Sequence, residues 1–144
     1  MKKLTVTLTT TKVDPQRARI MRAVKGQNTA PEMLVRRMIF AMGFRYRIHR
    51  ADLPGKPDIA FIGRKKVIFV NGCFWHGHEC SRGARTPKQN TSYWVQKIAR
   101  NKFRDQTNQT ALISMGWQFM VIWECELKQL ESTRERIMEF LTST

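Results

Sequence analysis

Residues 58–80, DIAFIGRKKVIFVNGCFWHGHEC, contain two apolar runs followed at once by a dense group of cysteines, histidines and aromatic residues. The runs 58–62 and 66–70 are short and rich in Ile, Val and Phe, and Gly63-Arg64 separates them, a pattern typical of paired strands. We therefore expect a hairpin whose second strand leads directly into the cysteine and histidine segment.

The rest of the chain predicts helices and two further strands around this hairpin. In chain order, the predicted elements are a basic helix 17–25 ended by Gly26, a helix capped by Thr29 and Glu32 and ended by Gly43, a strand 44–49, a loop 53–57, the hairpin, a helix 93–115 capped by Ser92, a strand 117–123, and a last helix with Leu130, Ile137 and Leu141. This order predicts a single-domain α/β fold with a central mixed β-sheet flanked by helices. Residues 17–144 are expected to form this domain, and residues 1–16 a flexible N-terminal arm.

The composition is strongly basic, because 26 Lys and Arg against 11 Asp and Glu give a formal net charge of +15. Such an excess predicts a nucleic-acid partner, and the alternative is a solvated basic surface or a ribosomal-type scaffold. The chain has no long apolar span, so no membrane partner is expected. An odd number of cysteines and the lack of an export signal predict free thiols in the reducing cytoplasm.

The cysteines and one histidine predict a structural zinc site. Cys73, His78 and Cys80 lie within eight positions, and Cys125, the third cysteine of the chain, follows an apolar run. Together they supply the three thiolates and one imidazole of a closed tetrahedral zinc site and leave no thiol unused. The alternative is that the cysteines are buried as small apolar residues.

The ends of the two hairpin strands predict a second cation site with a base beside it. Asp58 begins one strand and Val70 ends the other, so a carboxylate and a backbone carbonyl can meet there, and hard oxygen ligands suit Mg2+. His76 follows a few residues later, where a neutral imidazole can accept a proton from water. A cation and a base are the minimum for phosphodiester hydrolysis, although an Asp before a strand is more often a turn residue.

Three stretches together resemble the very short patch repair (Vsr) endonucleases: LPGKPD at 53–58, VIFVNGCFWH at 67–76 and VIWEC at 121–125. The likeness runs from about Arg19 to Leu127. It implies a fold related to the PD-(D/E)xK restriction-type nucleases, a structural Zn2+ and a catalytic Mg2+. It also implies an enzyme that nicks one DNA strand on the 5′ side of the thymine in a T:G mismatch, which arises when 5-methylcytosine deaminates.

The resemblance implies a role for each matching residue. Asp58 and the Val70 carbonyl become the Mg2+ ligands, His76 the general base, and Glu32 an acidic residue that supports the site by hydrogen bonding. The remaining matches are the zinc set Cys73, His78, Cys80 and Cys125, the outer positions Asn101 and Asp105 near the metal and the DNA, the aromatic Trp94, and Met21, which enters from the opposite groove. Val70 stands where some members have Thr, which the carbonyl ligand tolerates. Asn71 stands where the best-known pattern has a second His, so it can bond a phosphate oxygen but not deliver a proton.

Phe74 and Trp75 predict an aromatic wedge, because zinc ligands on both sides would hold them stiffly. A wedge between base pairs unstacks a step at a cost of a few kcal/mol, which is least where pairing is already poor. Packing is the alternative, most of all for Met21 and Trp94. Candidate phosphate contacts are Arg19, Arg22, Lys25, Lys88, Lys97, Arg100, Lys102 and Arg104.

These features favour a monomeric, Mg2+-dependent DNA nickase that acts on T:G mismatches with downstream repair proteins, on the nucleoid of a bacterium or archaeon. A less selective restriction-type nuclease on the same fold is one alternative. A non-catalytic, zinc-containing DNA-binding module is the other. Cleavage that requires a divalent cation, Asp58 and His76 would exclude the DNA-binding module and leave the two nuclease hypotheses.

Overall fold

The computed structural model describes residues 27–85 and 87–143. The described helices are α1 (Ala30–Ala41), α2 (Thr91–Ser114) and α3 (Leu130–Thr142), and the strands are β1 (Arg47–Ile48), β2 (Ile59–Phe61), β3 (Lys66–Asn71) and β4 (Gln118–Trp123), with short 3-10 turns at Ile62–Arg64 and Glu124–Lys128. The predicted arm 1–16 and basic helix 17–25, with Arg19, Met21, Arg22 and Lys25, lie outside the described residues. None of the described helices combines the length and apolar character needed to span a membrane.

The strands form one mixed sheet in the order β1-β2-β3-β4. β2 pairs antiparallel with both β1 and β3, as the predicted hairpin requires, and β4 lies parallel to β3. A parallel neighbour needs a crossover, and α2 supplies it between β3 and β4. The prediction of an α/β fold with a mixed sheet is therefore confirmed.

Helices cover the sheet on both faces. On one face, α1 and α3 pack against the strands around Val35, Ile39, Ile68, Ile122 and Ile137, all fully buried. On the other, Leu112 of α2 joins a smaller core with Leu53, Ala60 and Val67. Successive residues of a strand thus point into different cores. The strands are covered on both faces, which explains why the runs at 59–61 and 66–70 are mostly apolar rather than alternately apolar and polar.

Two elements differ from the sequence prediction. The strand predicted at 44–49 is reduced to Arg47–Ile48, and His49, which has a left-handed backbone (φ 50°), follows its last residue. The long helix begins at Thr91 rather than Tyr93, and Asn90, not Ser92, occupies its N-cap position. Neither difference alters the topology.

The start of α1 turns a polar side chain inward. Thr29 Oγ1 accepts a hydrogen bond from the Glu32 backbone amide (3.3 Å), as an N-cap should. Glu32 Oε1 in turn accepts from the Asn28 amide (3.1 Å), one residue beyond the position expected for a capping box. Glu32 is only 2% exposed, so this carboxylate faces the interior beside the sheet.

Candidate active site and metal centre

A cleft of about 460 Å³ opens between the end of β3, the loop before β2, and α2. Its lining includes Gly55, Lys56, Asp58, Val70, Asn71, His76, Arg104, Asp105 and Asn108. Open α/β sheets bind ligands beyond the carboxyl ends of their parallel strands, and β3 ends here. Asp58, Val70, Asn71 and His76, which the sequence placed in one site, do meet in this cleft.

Asp58 lies directly beside the end of β3. Because Ile59 pairs with Ile68 in an antiparallel register, Asp58 reaches the Val70 backbone, whose amide donates to Asp58 Oδ2 (2.7 Å). Burial raises the pKa of Asp58 to about 6, although the hydrogen bond from Val70 opposes this rise. The second carboxylate oxygen makes no hydrogen bond within the described part of the chain, which fits a hard-oxygen cation ligand.

His76 is paired with a carboxylate from α2. His76 Nδ1 lies 2.6 Å from Asp105 Oδ2, and both side chains are 23% exposed. A carboxylate at Nδ1 holds the proton on that nitrogen and leaves Nε2 as the basic one. The resemblance placed Asp105 at an outer position near the metal and DNA, whereas here it contacts the imidazole itself.

The loop that carries His76 is pressed against α2. Gly77 has φ 65°, and a Cβ atom there would lie 2.8 Å from the side chains of both Ile98 and Lys102. Asn101 Nδ2 donates to the Trp75 carbonyl (2.8 Å), so this residue, expected near the DNA, also ties the loop to the helix. A larger residue at Gly77 would push the loop, and His76 with it, away from Asp105.

Glu32 belongs to a buried polar network next to Asp58. Its Oε2 atom contacts His49 Nε2 (2.6 Å) and also accepts from the Arg36 guanidinium. Ligand atoms of Glu32, His49 and Asp58 lie within 4.8 Å of one another. Sequence reasoning used His49 only as the end of a strand and missed this contact, although its position just before the LPGKPD stretch placed it near Asp58.

The four expected zinc ligands come together at the opposite side of the same loop. Side-chain ligand atoms of Cys73, His78, Cys80 and Cys125 all lie within 4.8 Å of one another, and Cys125 Sγ is 3.5 Å from His78 Nδ1. Ligands at about 2.0 to 2.3 Å from a tetrahedral zinc are separated by distances of this order, so the set fits the ion. Only Cys73 is fully buried, so burial as small apolar residues does not account for the other two thiols.

The surroundings of these thiols favour a bound cation. The amides of Gly83 and Cys125 lie 3.4 Å from Cys80 Sγ and Cys73 Sγ, in positions to donate to thiolates. The hydrogen bond from Gly83 lowers the pKa of Cys80 to about 6, whereas burial raises the pKa of Cys73 to about 12. His78 stacks on Trp123 with ring centroids 4.1 Å apart, which fixes the imidazole.

The aromatic residues form one cluster rather than an isolated exposed pair. Phe74 and Trp75 are half-buried, and their rings meet Trp94 edge to face at 5.5 and 5.6 Å. Trp94 is 6% exposed, and its Nε1 has no hydrogen-bond partner within the described part of the chain. Trp94 therefore serves as the base on which Phe74 and Trp75 rest.

Basic side chains line the outer surface of α2 and the loop before it. Of the predicted phosphate contacts, Lys88, Arg100, Lys102 and Arg104 are exposed, and Lys97 is half-buried. Arg104 also lines the cleft, next to Asp105. Lys56 lines the cleft as well and was not singled out from the sequence.

Comparisons with known proteins give the family. Residues 10–82 match the family model described as DNA mismatch endonuclease Vsr. The chain is 45% identical to "Type II nicking enzyme V.XorIIP" of Xanthomonas oryzae over 92% of its own length and 97% of that protein. It is 36% identical to "DNA mismatch endonuclease Vsr" of Escherichia coli K12, over 87% of its own length and 80% of that protein.

A solved structure supports the fold. The catalytic domain of homing endonuclease I-Bth0305I is similar with a TM-score of 0.54 over 81% of this chain and all of that domain, at 21% identity, which shows the fold alone. The family model and the relatives carry the assignment, and the resemblance found in the sequence is confirmed. The chain belongs to the Vsr family of DNA mismatch endonucleases.

Proposed function

We propose that this chain nicks one strand of duplex DNA on the 5′ side of the thymine in a T:G mismatch and so begins very short patch repair. The observation that carries the proposal is the joint placement of Asp58, Val70 and the His76–Asp105 pair in one cleft. The name of the Escherichia coli relative, DNA mismatch endonuclease, supports a mismatch as the target.

Mg2+ would be held by the free oxygen of Asp58 and the Val70 carbonyl. When bound, the cation neutralises charge that develops on the phosphate. Glu32, fixed by His49 and Arg36, supports the ligand sphere from behind Asp58. Zn2+ would be held by Cys73, His78, Cys80 and Cys125, and its task is to fix the loop between two of its ligands.

His76 performs the proton transfer. Asp105 holds the proton on Nδ1, so Nε2 accepts a proton from the water that attacks phosphorus, and the imidazolium that forms is stabilised by the same carboxylate. As the water oxygen bonds to phosphorus, the bond from phosphorus to the leaving deoxyribose oxygen breaks, and that oxygen takes a proton from solvent water. Asn71, buried at the end of β3 and lining the cleft, can donate its amide to a phosphate oxygen.

Phe74 and Trp75 give the preference for a mismatch. They precede His76 directly, so a base step opened by their rings would lie beside the reacting phosphate. Trp94 supports both rings from below, and Asn101 holds the Trp75 backbone. Because a mispaired step costs less to unstack than a paired one, insertion favours the T:G site.

A nicking assay tests this proposal. One labelled duplex carries a single T:G pair and its control carries T:A, each incubated with Mg2+ or with a chelator. We expect Mg2+-dependent nicking of the T-containing strand in the T:G duplex alone. Asp58→Ala and His76→Ala should abolish nicking and retain DNA binding.

Other outcomes of the same assay identify the alternatives. Equal nicking of T:G and T:A duplexes would indicate a less selective nuclease, for which the relatives named type II nicking enzymes give a reason. DNA binding without nicking by the unaltered chain would indicate a binding module. Nicking that survives both substitutions would refute the site.

A further inference from the structure

The cleft is lined by one lysine, Lys56, to which no role has yet been assigned. Asp58 and Val70 are proposed to hold the cation, His76 is paired with Asp105, and Asn71 has a neutral amide. The cationic side chains that line the cleft are Lys56 and Arg104. Neither forms an ion pair or a side-chain hydrogen bond within residues 27–85 and 87–143, so neither charge is used by a described protein partner.

We infer that Lys56 is a further catalytic residue, whose ammonium group contacts the scissile phosphodiester and stabilises the negative charge that grows there during the reaction. This inference rests on the proposed function, because it assigns a role within the same cleft. Fixed positive groups aimed at developing charge act most strongly in a narrow, partly water-excluded site. An ammonium serves this purpose as a compact point charge.

The loop that carries Lys56 is held firmly against the cleft. A Cβ atom on Gly55 would lie 3.0 Å from the Phe69 ring and 3.1 Å from Asn108 Cβ, so the loop is in close contact with both β3 and α2. The Lys56 amide donates to the Leu53 carbonyl (3.0 Å), which closes the turn. The backbone of Lys56 is therefore fixed two residues from Asp58, and both residues line the cleft.

Lys65 is a matched control. Both lysines are exposed and both have a left-handed backbone, with φ 48° at Lys56 and 54° at Lys65, so backbone conformation alone does not distinguish them. Lys65 precedes β3, and Val70 lies five residues further along, roughly 17 Å away at the rise of an extended strand. Lys65→Met removes the same charge from the same kind of backbone, outside the cleft.

The experiment compares Lys56→Met, Lys56→Arg and Lys65→Met under single-turnover conditions with saturating enzyme. The substrate is whichever duplex, T:G or T:A, the unaltered chain nicks, and the DNA dissociation constant is measured separately. We expect Lys56→Met to nick about 10²-fold more slowly, with the dissociation constant changed by less than about threefold. Lys56→Arg should recover most of the rate, since it restores the charge, and Lys65→Met should match the unaltered chain.

Two results would overturn the inference while leaving the proposed function intact. One is a Lys56→Met rate equal to that of Lys65→Met. The other is a loss confined to the dissociation constant, which would make Lys56 one more phosphate contact among many in a chain of net charge +15. Failure of the unaltered chain to nick either duplex would refute the proposed function and the role of Lys56 with it.

Discussion

His76 Nδ1 and Asp105 Oδ2 lie 2.6 Å apart, joining the loop between Cys73 and His78 to the middle of the longest described helix. The carboxylate determines which imidazole nitrogen is basic, and it also fixes the plane of the ring. The general base proposed for this site is therefore a pair of residues rather than His76 alone. The contact depends on how closely the loop approaches α2, which Gly77 permits.

Asp105→Asn should slow nicking about 10²- to 10⁴-fold, because the amide can donate to Nδ1 and so stabilise the wrong tautomer. DNA binding should change little. Single-turnover rates measure the effect, and Glu131→Gln, an exposed carboxylate on α3, is the control for the lost charge. A rate for Asp105→Asn within a few-fold of the control would mean that Asp105 has no part in orienting His76.

The stability of the metal-free protein should depend on the ionisation of Asp58. Burial raises its pKa in the folded chain to about 6, above the ordinary value of 3.8, so the folded state binds this proton more tightly than the unfolded state. The stability gained from the protonated form is complete below about pH 3.8 and is lost as the pH rises through 6. Above pH 7 the ionised carboxylate costs about 3 kcal/mol.

Asp58→Asn tests this, because it stays neutral and its carbonyl can still accept from the Val70 amide. With chelator present, its melting temperature should exceed that of the unaltered chain at pH 8, and the difference should shrink as the pH falls towards 5. Asp52→Asn, at a carboxylate 59% exposed, should show no such rise. A difference independent of pH would contradict the assignment.

Local sequence patterns predicted most of the fold. They predicted less of the candidate site, because its contacts join residues that are far apart in the sequence. The β2–β3 hairpin and α2 were predicted from apolar runs and flanking Gly residues. These signals come from residues close together in the sequence. The grouping of Cys73, Cys80 and Cys125 was predictable because the chain has only three cysteines, and that the group binds zinc stays a prediction. The strand at 44–49 was predicted too long because apolar and basic residues also alternate at 44–46, where Phe44 and Tyr46 pack against the core without pairing in the sheet.

Two site contacts could not be predicted from the sequence, because each joins residues far apart along the chain. His49 meets Glu32 across 17 positions, and His76 meets Asp105 across 29. Both contacts depend on where a helix packs along the sheet. The spacing of apolar residues in the sequence predicts the helix but not this position. Resemblance to the family singled out Glu32, His76 and Asp105, but neither His49 nor the contact between His76 and Asp105.

His49→Ala should destabilise the fold by about 1 to 3 kcal/mol, because it removes a charge-assisted hydrogen bond from the buried Glu32 carboxylate. His49→Ala should also slow nicking, because Glu32 lies beside Asp58. His49→Gln keeps a side-chain donor, so it should recover part of the lost stability and most of the nicking rate. Urea unfolding gives the free energies. If Gln and Ala were equally harmful in both measurements, the contact with Glu32 would not be what His49 contributes.

Zinc should be measurable by metal analysis as about one ion per chain, and Cys125→Ser should lose it together with the folded state. His78 provides a sharper pair of variants. His78→Cys retains a tetrahedral set, now of four thiolates, and should keep zinc, whereas His78→Ala should lose it. Folded Cys125→Ser protein with an unchanged melting temperature would show that these four residues pack without a metal.

Trp75→Ala should reduce discrimination between mismatched and paired DNA rather than stability. The half-buried ring contacts Phe74 and Trp94, and stacking of an aromatic ring on a base contributes about 1 to 3 kcal/mol. The ratio of T:G to T:A binding constants should therefore fall about 10- to 100-fold, because the variant lacks the ring whose insertion is easier at a mismatched base step. Phe40→Ala removes a ring that is 55% exposed on α1 and should leave the ratio unchanged. Equal discrimination by both variants would mean that Trp75 packs on Trp94 without entering DNA.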